Sequence, residues 1–595
     1  MKTTRGQWVR GAVPYQSIGA ALSVSTWAGA GLLFTLALFL WAGKPESIQE
    51  RVEAPKLSRL EGRLQLRIDS AKDLSDGAIA SEPLQDPAAL FRFYALRDYR
   101  PAWSGEAGPL PEAERLLQTI REGERDGLRP DDYHLSALER TRAAIQWDRA
   151  RGIFNLDREI DLDLLLTDAF FGYGHDLRSG RLRMEAKEME RPYGSDQIDL
   201  VLILQEALQS NSVREALLAL RPPHPGYFRL MEGLSRYRNL AREEGGAPLP
   251  GGPPVKKGDR GEPVRILRRR LLVTGDLLPS GEEDRFLFDE ALESAVSAFQ
   301  RRHGLAPDGV VGPATRAALN VPISQRVRQI ELNLERLRWL PRDLGRRHII
   351  INAADFTLEV VEGERQVMSM RVIAGRKYRQ TPSFTAEMTH IVLSPYWQVP
   401  PRLAIEDLLP LVQKDVRYLE RQKIKVFLGW NHGGKEIPPG RINWSKVSRR
   451  NFVYRFRQEP GPANPLGRVK FVFPNPFDIY LHDTPARELF GRTVRDFSSG
   501  CIRIEKPIEL AEYLLRDDPE WSREALLNTI GRQEERWIRL PAPLPVHLVY
   551  WTAWADEAGA VHFRDDLYGR DLRMDRALHD RKGISVSRLN SGEFY

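Results

Sequence analysis

The chain has 595 residues, 42% hydrophobic and 28% charged, an ordinary globular balance. At roughly 100–200 residues per domain it has room for about three or four domains. A formal net charge of +7 suits an anionic polymer or a membrane surface, but no basic stripe interleaved with aromatics points to nucleic acid. The single cysteine, Cys501, excludes an internal disulfide framework and any cysteine-cluster metal site.

Lys2, Arg5 and Arg10 precede "IGAALSVSTWAGAGLLFTLALFLWAG", residues 18–43, which carry no charge. As a helix this run is long enough to cross a ~30 Å hydrocarbon core, and its positive flank should stay cytoplasmic. A cleaved signal peptide is the competing reading; the run is long for one, and Leu40 to Gly43 lack a good A-x-A site. Residues 1–43 are therefore expected to be a cytoplasmic tip and membrane anchor, and the polar residues 44–86 a linker. From Pro87 the pattern is helical: "EAERLLQTIREG" and "DLDLLLTDAFFGYGHDL" place apolar residues three and four apart. "DGLRPDDYHL" is a turn into a further helix, with Asp131 or Asp132 as its cap. This region, 87–245, reads as a helical scaffold without a catalytic constellation. "REEGGAPLPGGPPVKKGDRGEP" (242–263) ends it, because so much Gly and Pro cannot continue a helix or a central strand.

A compact unit follows over 253–320. Val264, Leu267 and Leu271 share one helical face, and Leu287, Ala291, Ala295 and Phe299 repeat every four residues on a second helix. In "DGVVGPATRAALN" two glycines permit a tight turn and Pro313 suits a first helical position. This three-helix unit resembles the peptidoglycan-binding domain family, whose D-G-x-x-G-x-x-T signature matches Asp308, Gly309, Gly312 and Thr315. The same residues also suit a turn and a cap.

"VRQIELNLERLRWLPRDL" (327–344) predicts an amphipathic connecting helix, after which the character changes. "RHIIINAADFTLEVVEGERQVMSMRVIAG" alternates and is rich in Ile and Val, predicting strands and a hairpin. In "GRVKFVFPNPFDIYLHDTP" (467–485), Val469, Phe471 and Phe473 alternate, Pro474 to Pro476 turn, and Ile479 and Leu481 alternate back. Between these hairpins, about 400–450, a helical and Gly/Pro-containing insertion is expected as a lid. A helix from Pro507 should bury Leu510 and Leu514, and "PVHLVYWTAWADEAGAVHFRDDLYGRD" adds strand material. Residues 325–555 read as one β-rich domain and 556–595 as a C-terminal extension, so the whole is a multidomain α+β chain.

Cys501 lies in "RDFSSGCIRIEKP". A lone cysteine is usually a small buried hydrophobe, but its flanks are wrong for inert core. Ser498, Ser499 and Gly500 make a polar turn whose N–H groups can stabilise a thiolate or a developing oxyanion. Arg503, two residues on, stands beside the sulfur on a strand, where it can favour the thiolate or grip a substrate carboxylate with its forked donors. His482 follows strand residues in "IYLHDTP" and can serve as the base that a nucleophilic thiol needs. Asp483 points the other way along a strand, so a backbone carbonyl is the expected orienter of His482.

His482, then Cys501 in "SSGCIRI", resembles the L,D-transpeptidase (YkuD-type) catalytic domain, whose motif often reads S-H-G-C. Ser499 stands where that motif has histidine, which matches a subgroup with HDT…SSGC and removes any role of that side chain. "SPYWQVPPRLA" (394–404) fits the same subgroup, the large membrane-anchored members with a peptidoglycan-binding module. The resemblance implies a sandwich-like β-rich catalytic domain with a lid, at 325–555. It implies a Cys501 thiolate paired with a His482 imidazolium, an oxyanion turn at Ser499 and Gly500, and substrate contacts from Arg503, Tyr480 and Trp397. For Arg503 an ordinary salt bridge, and for Tyr480 and Trp397 core or lid packing, are the competing readings. It further implies 3→3 cross-linking of peptidoglycan tetrapeptide stems, with no metal and no cofactor. The partners are then stems and glycan strands, with the bacterial inner membrane gripped once through residues 18–43 and the bulk in the periplasm. An L,D-carboxypeptidase using water as acceptor, and a non-catalytic wall anchor, are the alternatives. The S-x-x-K serine motif of penicillin-binding proteins, the H-E-x-x-H zinc pair and the G-x-S-x-G elbow are absent, which excludes those other wall enzymes.

Overall fold

The computed structural model describes residues 48–73, 78–105, 108–182, 198–242, 247–279, 284–430 and 434–580. The expected membrane segment, 18–43, lies outside the described residues, and no described helix is long and apolar enough to cross a membrane. Lys56–Tyr595 form one compact unit, and the hydrophobic cores among the described residues all lie in it.

The segment expected as a linker is largely helix: α1 runs Ile48–Asp73. Leu60, Leu64 and Ile68 recur every four residues and sink into the scaffold core. That apolar stripe is only one residue wide per turn, so the charge around it masks it. Its flanks are tied down where Arg63 and Arg67 meet Asp157 and Asp161. The core is completed by α2 (Pro87–Ala95), α3 (Pro111–Arg121), α4 (Leu135–Arg149), α5 (Leu156–Ser179), α6 (Leu200–Gln209) and α7 (Val213–Leu218). Asp131 accepts from the Ser136 N–H at 3.3 Å, one residue inside α4, while His134 holds the cap position itself. The central α5 buries even Asp163, whose carboxylate accepts the Ala102 and Trp103 N–H groups and the Tyr94 hydroxyl.

The small module folds as α9 (Glu262–Thr274), α10 (Glu290–Arg302) and α11 (Pro313–Leu319). Val264, Leu267 and Leu271 form one buried face, but α10 buries Leu292, Ala295, Val296 and Phe299. Leu287 precedes that helix and Ala291 faces solvent, because Asp289 caps α10 and sets its rotation. Gln300 laces the signature turn: it donates to Asp308 and Thr315 and accepts from the Gly309 N–H.

Two further helices, α8 (Pro225–Arg242) and α12 (Ile323–Leu337), pack on each other and on a hairpin of β12 (Ala553–Ala555) and β13 (Val561–Phe563). The segment read as a connecting helix is thus internal. It buries Asn333 and Glu335, held by Thr552 and Arg338. The boundary expected at 555/556 falls inside this hairpin, because the turn at "DEAG" joins two strands.

The β-rich region is a closed barrel, not a sandwich. Its strands are β1 (Arg347–Asn352), β2 (Thr357–Glu362), β3 (Arg365–Ile373), β4 (Phe384–Leu393), β8 (Val469–Val472), β9 (Leu481–His482), β10 (Ile502–Ile504) and β11 (Arg536–Val549). They run in the order β8-β9-β10-β3-β2-β1-β11-β4, and β4 pairs again with β8. Alternating burial looks the same in a sandwich and a barrel. The difference is made by β11, which bends at a register shift between Arg539 and Leu544, across "LPAP", and so closes the ring. The lid expected at 400–450 is a small sheet with helices. It comprises β5 (Trp397–Gln398), β6 (Ile424–Leu428) and β7 (Tyr454–Gln458), and has its own core around Val426, Trp444 and Phe456.

Candidate active site

Register places the site before any side chain is considered. Phe471, Leu481, Ile502 and Ile504 point into the barrel and are buried. Their neighbours in sequence, Lys470, Tyr480, His482, Cys501 and Arg503, therefore leave on the outer face. Lys470 on β8 and Arg503 on β10 both stand directly opposite His482 on β9. The Ile502 N–H donates to the Tyr480 carbonyl at 3.2 Å, which brings Tyr480 beside Cys501.

His482 is 5% exposed and donates from Nδ1 to the Asp483 carbonyl at 2.6 Å. The orienter is thus a backbone carbonyl, and it leaves Nε2 as the proton acceptor. The Asp483 carboxylate is held elsewhere, by the Arg468 N–H and side chain and by Arg487. Burial, then Arg503 and Lys470, push the His482 pKa down to about 3, against the pull of the Asp483 and Pro465 carbonyls. Its resting ring is neutral, which departs from the imidazolium that the resemblance implied. The Cys501 thiol is pushed up by burial, opposed by the Tyr480 N–H, Lys470 and the Tyr480 phenol. Cys501 is half-buried, and its Sγ–H donates to the Asp478 carbonyl at 3.7 Å.

The turn before the cysteine is locked from several directions. Gly500 has φ +121, a left-handed conformation that strains any L side chain, and an added Cβ would lie 3.3 Å from Ile479. The Ser498 hydroxyl accepts the Gly500 N–H and donates to the Cys501 carbonyl at 2.5 Å. The Gly500 N–H expected to hold an oxyanion is therefore already used. Among the described residues, no hydrogen bond claims the Cys501 N–H. The Gly500 carbonyl accepts from the buried Thr381 hydroxyl at 2.7 Å, and that hydroxyl accepts the Gly375 N–H at 2.9 Å. Gly375 allows this approach, since a Cβ there would meet the Arg379 carbonyl at 2.1 Å. Tyr568 and Arg570 brace the same loop, donating to the Gly375 and Thr381 carbonyls.

Ser499 is exposed, and its hydroxyl accepts from Arg379 at 3.0 Å. Arg379 also pairs with Glu406 and Asp407 of the insertion, tying it to the cysteine turn. Trp397 packs with the insertion's own core. The structure so gathers Cys501, His482, Tyr480 and Arg503 on one face and leaves Trp397 with the insertion. Sequence reasoning missed Lys470, Thr381, Arg379, Tyr568 and Arg570. Lys470 was visible in principle, since it alternates with Val469 and Phe471 across a hairpin from His482.

Comparison with known proteins agrees with the resemblance. Residues 346–521 match the L,D-transpeptidase catalytic domain, 260–319 match "Putative peptidoglycan binding domain", and 88–234 match a scaffold domain. A protein of Haemophilus influenzae described as "Putative L,D-transpeptidase" is 32% identical over 254 residues, 43% of this chain and 50% of that protein. The N-acetylmuramoyl-L-alanine amidase CwlL of Bacillus licheniformis is 42% identical over 65 residues, 11% of this chain and 18% of that enzyme. The chain spans half or less of the length of these curated relatives. The L,D-transpeptidase crystal structure from Xylanimonas cellulosilytica aligns at 18% identity over 50% of this chain and 99% of that one, with a TM-score of 0.15.

Proposed function

We propose that this chain is a peptidoglycan L,D-transpeptidase that makes 3→3 cross-links. The observation that carries the reading is the lone cysteine on a locked turn, sharing one barrel face with a neutral, oriented histidine, inside the segment that matches the L,D-transpeptidase catalytic domain. His482 Nε2 takes the thiol proton as Sγ leaves the Asp478 carbonyl and attacks the carbonyl of the third, diaminopimelate-type residue of a tetrapeptide stem. The Cys501 N–H receives the oxyanion. His482 then protonates the departing D-alanine amine, leaving a thioester. The side-chain amine of a second stem attacks that thioester and gives its proton to His482. Sγ leaves, and a new peptide bond replaces the old one without metal or nucleotide. Tyr480 steadies the thiolate, and Arg503 receives a substrate carboxylate. Residues 18–43 anchor the chain in the bacterial inner membrane, N-terminus cytoplasmic, with the bulk in the periplasm. The three-helix module holds the wall.

The test uses the full chain in detergent and its Cys501→Ala variant, each incubated with tetrapeptide-rich peptidoglycan and read by mass spectrometry of the digested muropeptides. Cross-linked dimers lacking one D-alanine, made only by the wild type, are expected. Tripeptide monomers alone would make water the acceptor. No change, with the protein still sedimenting with the wall, would leave only an anchor.

A further inference from the structure

Lys470 and Arg503 flank His482 from the two strands beside it, on the face that carries Cys501. Neither forms an ion pair among the described residues, and Arg503 Nε is buried without a hydrogen-bond partner. Lys470 is held instead by an aromatic ring, its Nζ 3.9 Å from the Tyr480 centroid. Once ionised, Cys501 is the first anion to act on Lys470, ahead of Glu535 and Asp478, and it acts on Arg503 as well, where Arg376 adds a third cation. Asp483 is already engaged by Arg468 and Arg487.

Partly buried charges are normally paired, because desolvation without a counter-ion is expensive. While the Cys501 thiol, pushed up by burial, keeps its proton, two such cations stand beside it without an anion. We propose that Lys470 and Arg503 together form a carboxylate seat across His482, which steers a carboxylate-bearing peptide to Cys501. Arg503 contributes a fork and Lys470 a point charge, so Lys470 sets preference and Arg503 sets orientation. Burial lowers the pKa of both, and Arg376 adds to it at Arg503, against the opposing pull of a Cys501 thiolate. That the carboxylate belongs to a peptidoglycan stem rests on the transpeptidase reading; that the seat takes a carboxylate does not.

The single cysteine makes the test site-specific. Iodoacetate and iodoacetamide both alkylate a thiolate, forming an S–C bond as iodide leaves, but only iodoacetate carries a carboxylate. The ratio of their rates on the full chain is compared with the ratio on the urea-unfolded chain. Any change in thiol pKa cancels in that ratio. The folded wild type should favour iodoacetate by about tenfold or more relative to the unfolded chain. Lys470→Met should lose about tenfold of that preference, Lys470→Arg should keep it, and salt should weaken it. A wild-type ratio equal to that of the unfolded chain, or an unchanged ratio in Lys470→Met, overturns the seat. A flat ratio in a chain that still cross-links peptidoglycan sinks the seat alone. A Lys470-dependent ratio in a chain that makes no cross-links upholds the seat and sinks the transpeptidase.

Discussion

Replacing Thr381 by Val should slow the chemistry without touching any group that contacts substrate. In a trans peptide the carbonyl and the following N–H point in opposite directions. The hydrogen bond from the Thr381 hydroxyl to the Gly500 carbonyl therefore aims the Cys501 N–H away from Thr381. Valine keeps the shape and removes the hydroxyl, leaving the Gly500 carbonyl and the Gly375 N–H unsatisfied. At about 1–3 kcal/mol for each of the two buried orphans, stability should fall by about 2–6 kcal/mol. Loss of one oxyanion donor in acyl transfer costs roughly 10²–10³ in rate, and a donor that has merely lost its aim should cost about 10–100-fold in kcat. The assay is dimer formation at saturating substrate, beside alkylation of Cys501 by iodoacetamide, which develops no oxyanion. Alkylation should stay within about twofold, and Thr381→Ser should recover most of the activity. Unchanged kcat in a destabilised Val variant would refute the aiming argument. A parallel loss of alkylation would assign Thr381 to the thiol instead.

His482→Gln should lower cross-linking by about 10²–10⁴-fold while alkylation at pH 9 stays nearly constant, because no resting ion pair is lost. With the ring pushed down to about 3, His482 keeps its base form through neutral and mildly acid pH, so kcat/KM should show no acid limb near 6.5. With the thiol pushed up, alkylation should keep rising beyond pH 9; a plateau from pH 5 would restore the ion pair. Arg379→Met should loosen the insertion. Its partner Asp407 is 44% exposed, so the loss is about 1 kcal/mol, read as about fivefold faster hydrogen exchange over 397–458. His224 and His547 are each pushed down to about 4 by burial. Above about pH 6.5 both states are neutral there; below it the unfolded chain binds protons that the folded one refuses. Stability should therefore fall from pH 6.5 toward 4, by about 3 kcal/mol for each histidine, in melting curves against pH.

The parts legible in the sequence are those fixed by short-range spacing. Alternation in "GRVKFVF" and "IYLH" sets which side chains leave the barrel, and Gly500 marks the positive φ of the cysteine turn. The parts that escaped depend on long-range pairing. Barrel closure needs β4 to meet β8, and nothing in either strand's period says so. Thr381 reaches Gly500 across 119 positions, and Tyr568 reaches Gly375 across 193. A threonine in "RKYRQTPSF" carries no local mark of that duty. Neither does α1, whose narrow stripe of Leu60, Leu64 and Ile68 is outnumbered by charge. The direction of the His482 and Cys501 shifts escaped as well, because the burial that produces both, and the cations that add to it at His482, come from distant parts of the chain.

The C-terminal segment, read as an extension, is the keystone of the assembly. Arg302 of the small module pairs with Asp276 and donates to the Tyr237 hydroxyl and to the Val561 carbonyl of the C-terminal hairpin. His303 stacks on Phe563 at 5.5 Å. Arg564, next in the chain, donates to the Arg302 carbonyl and pairs with Asp355 in the barrel. Four residues further, Tyr568 holds the Gly375 carbonyl behind the cysteine turn. One short run, 561–568, therefore touches the small module, α8, the barrel and the loop that braces the nucleophile. A module on a free Gly/Pro linker would sample many orientations relative to the barrel. Buried against the hairpin, it presents its surface at a fixed bearing to Cys501.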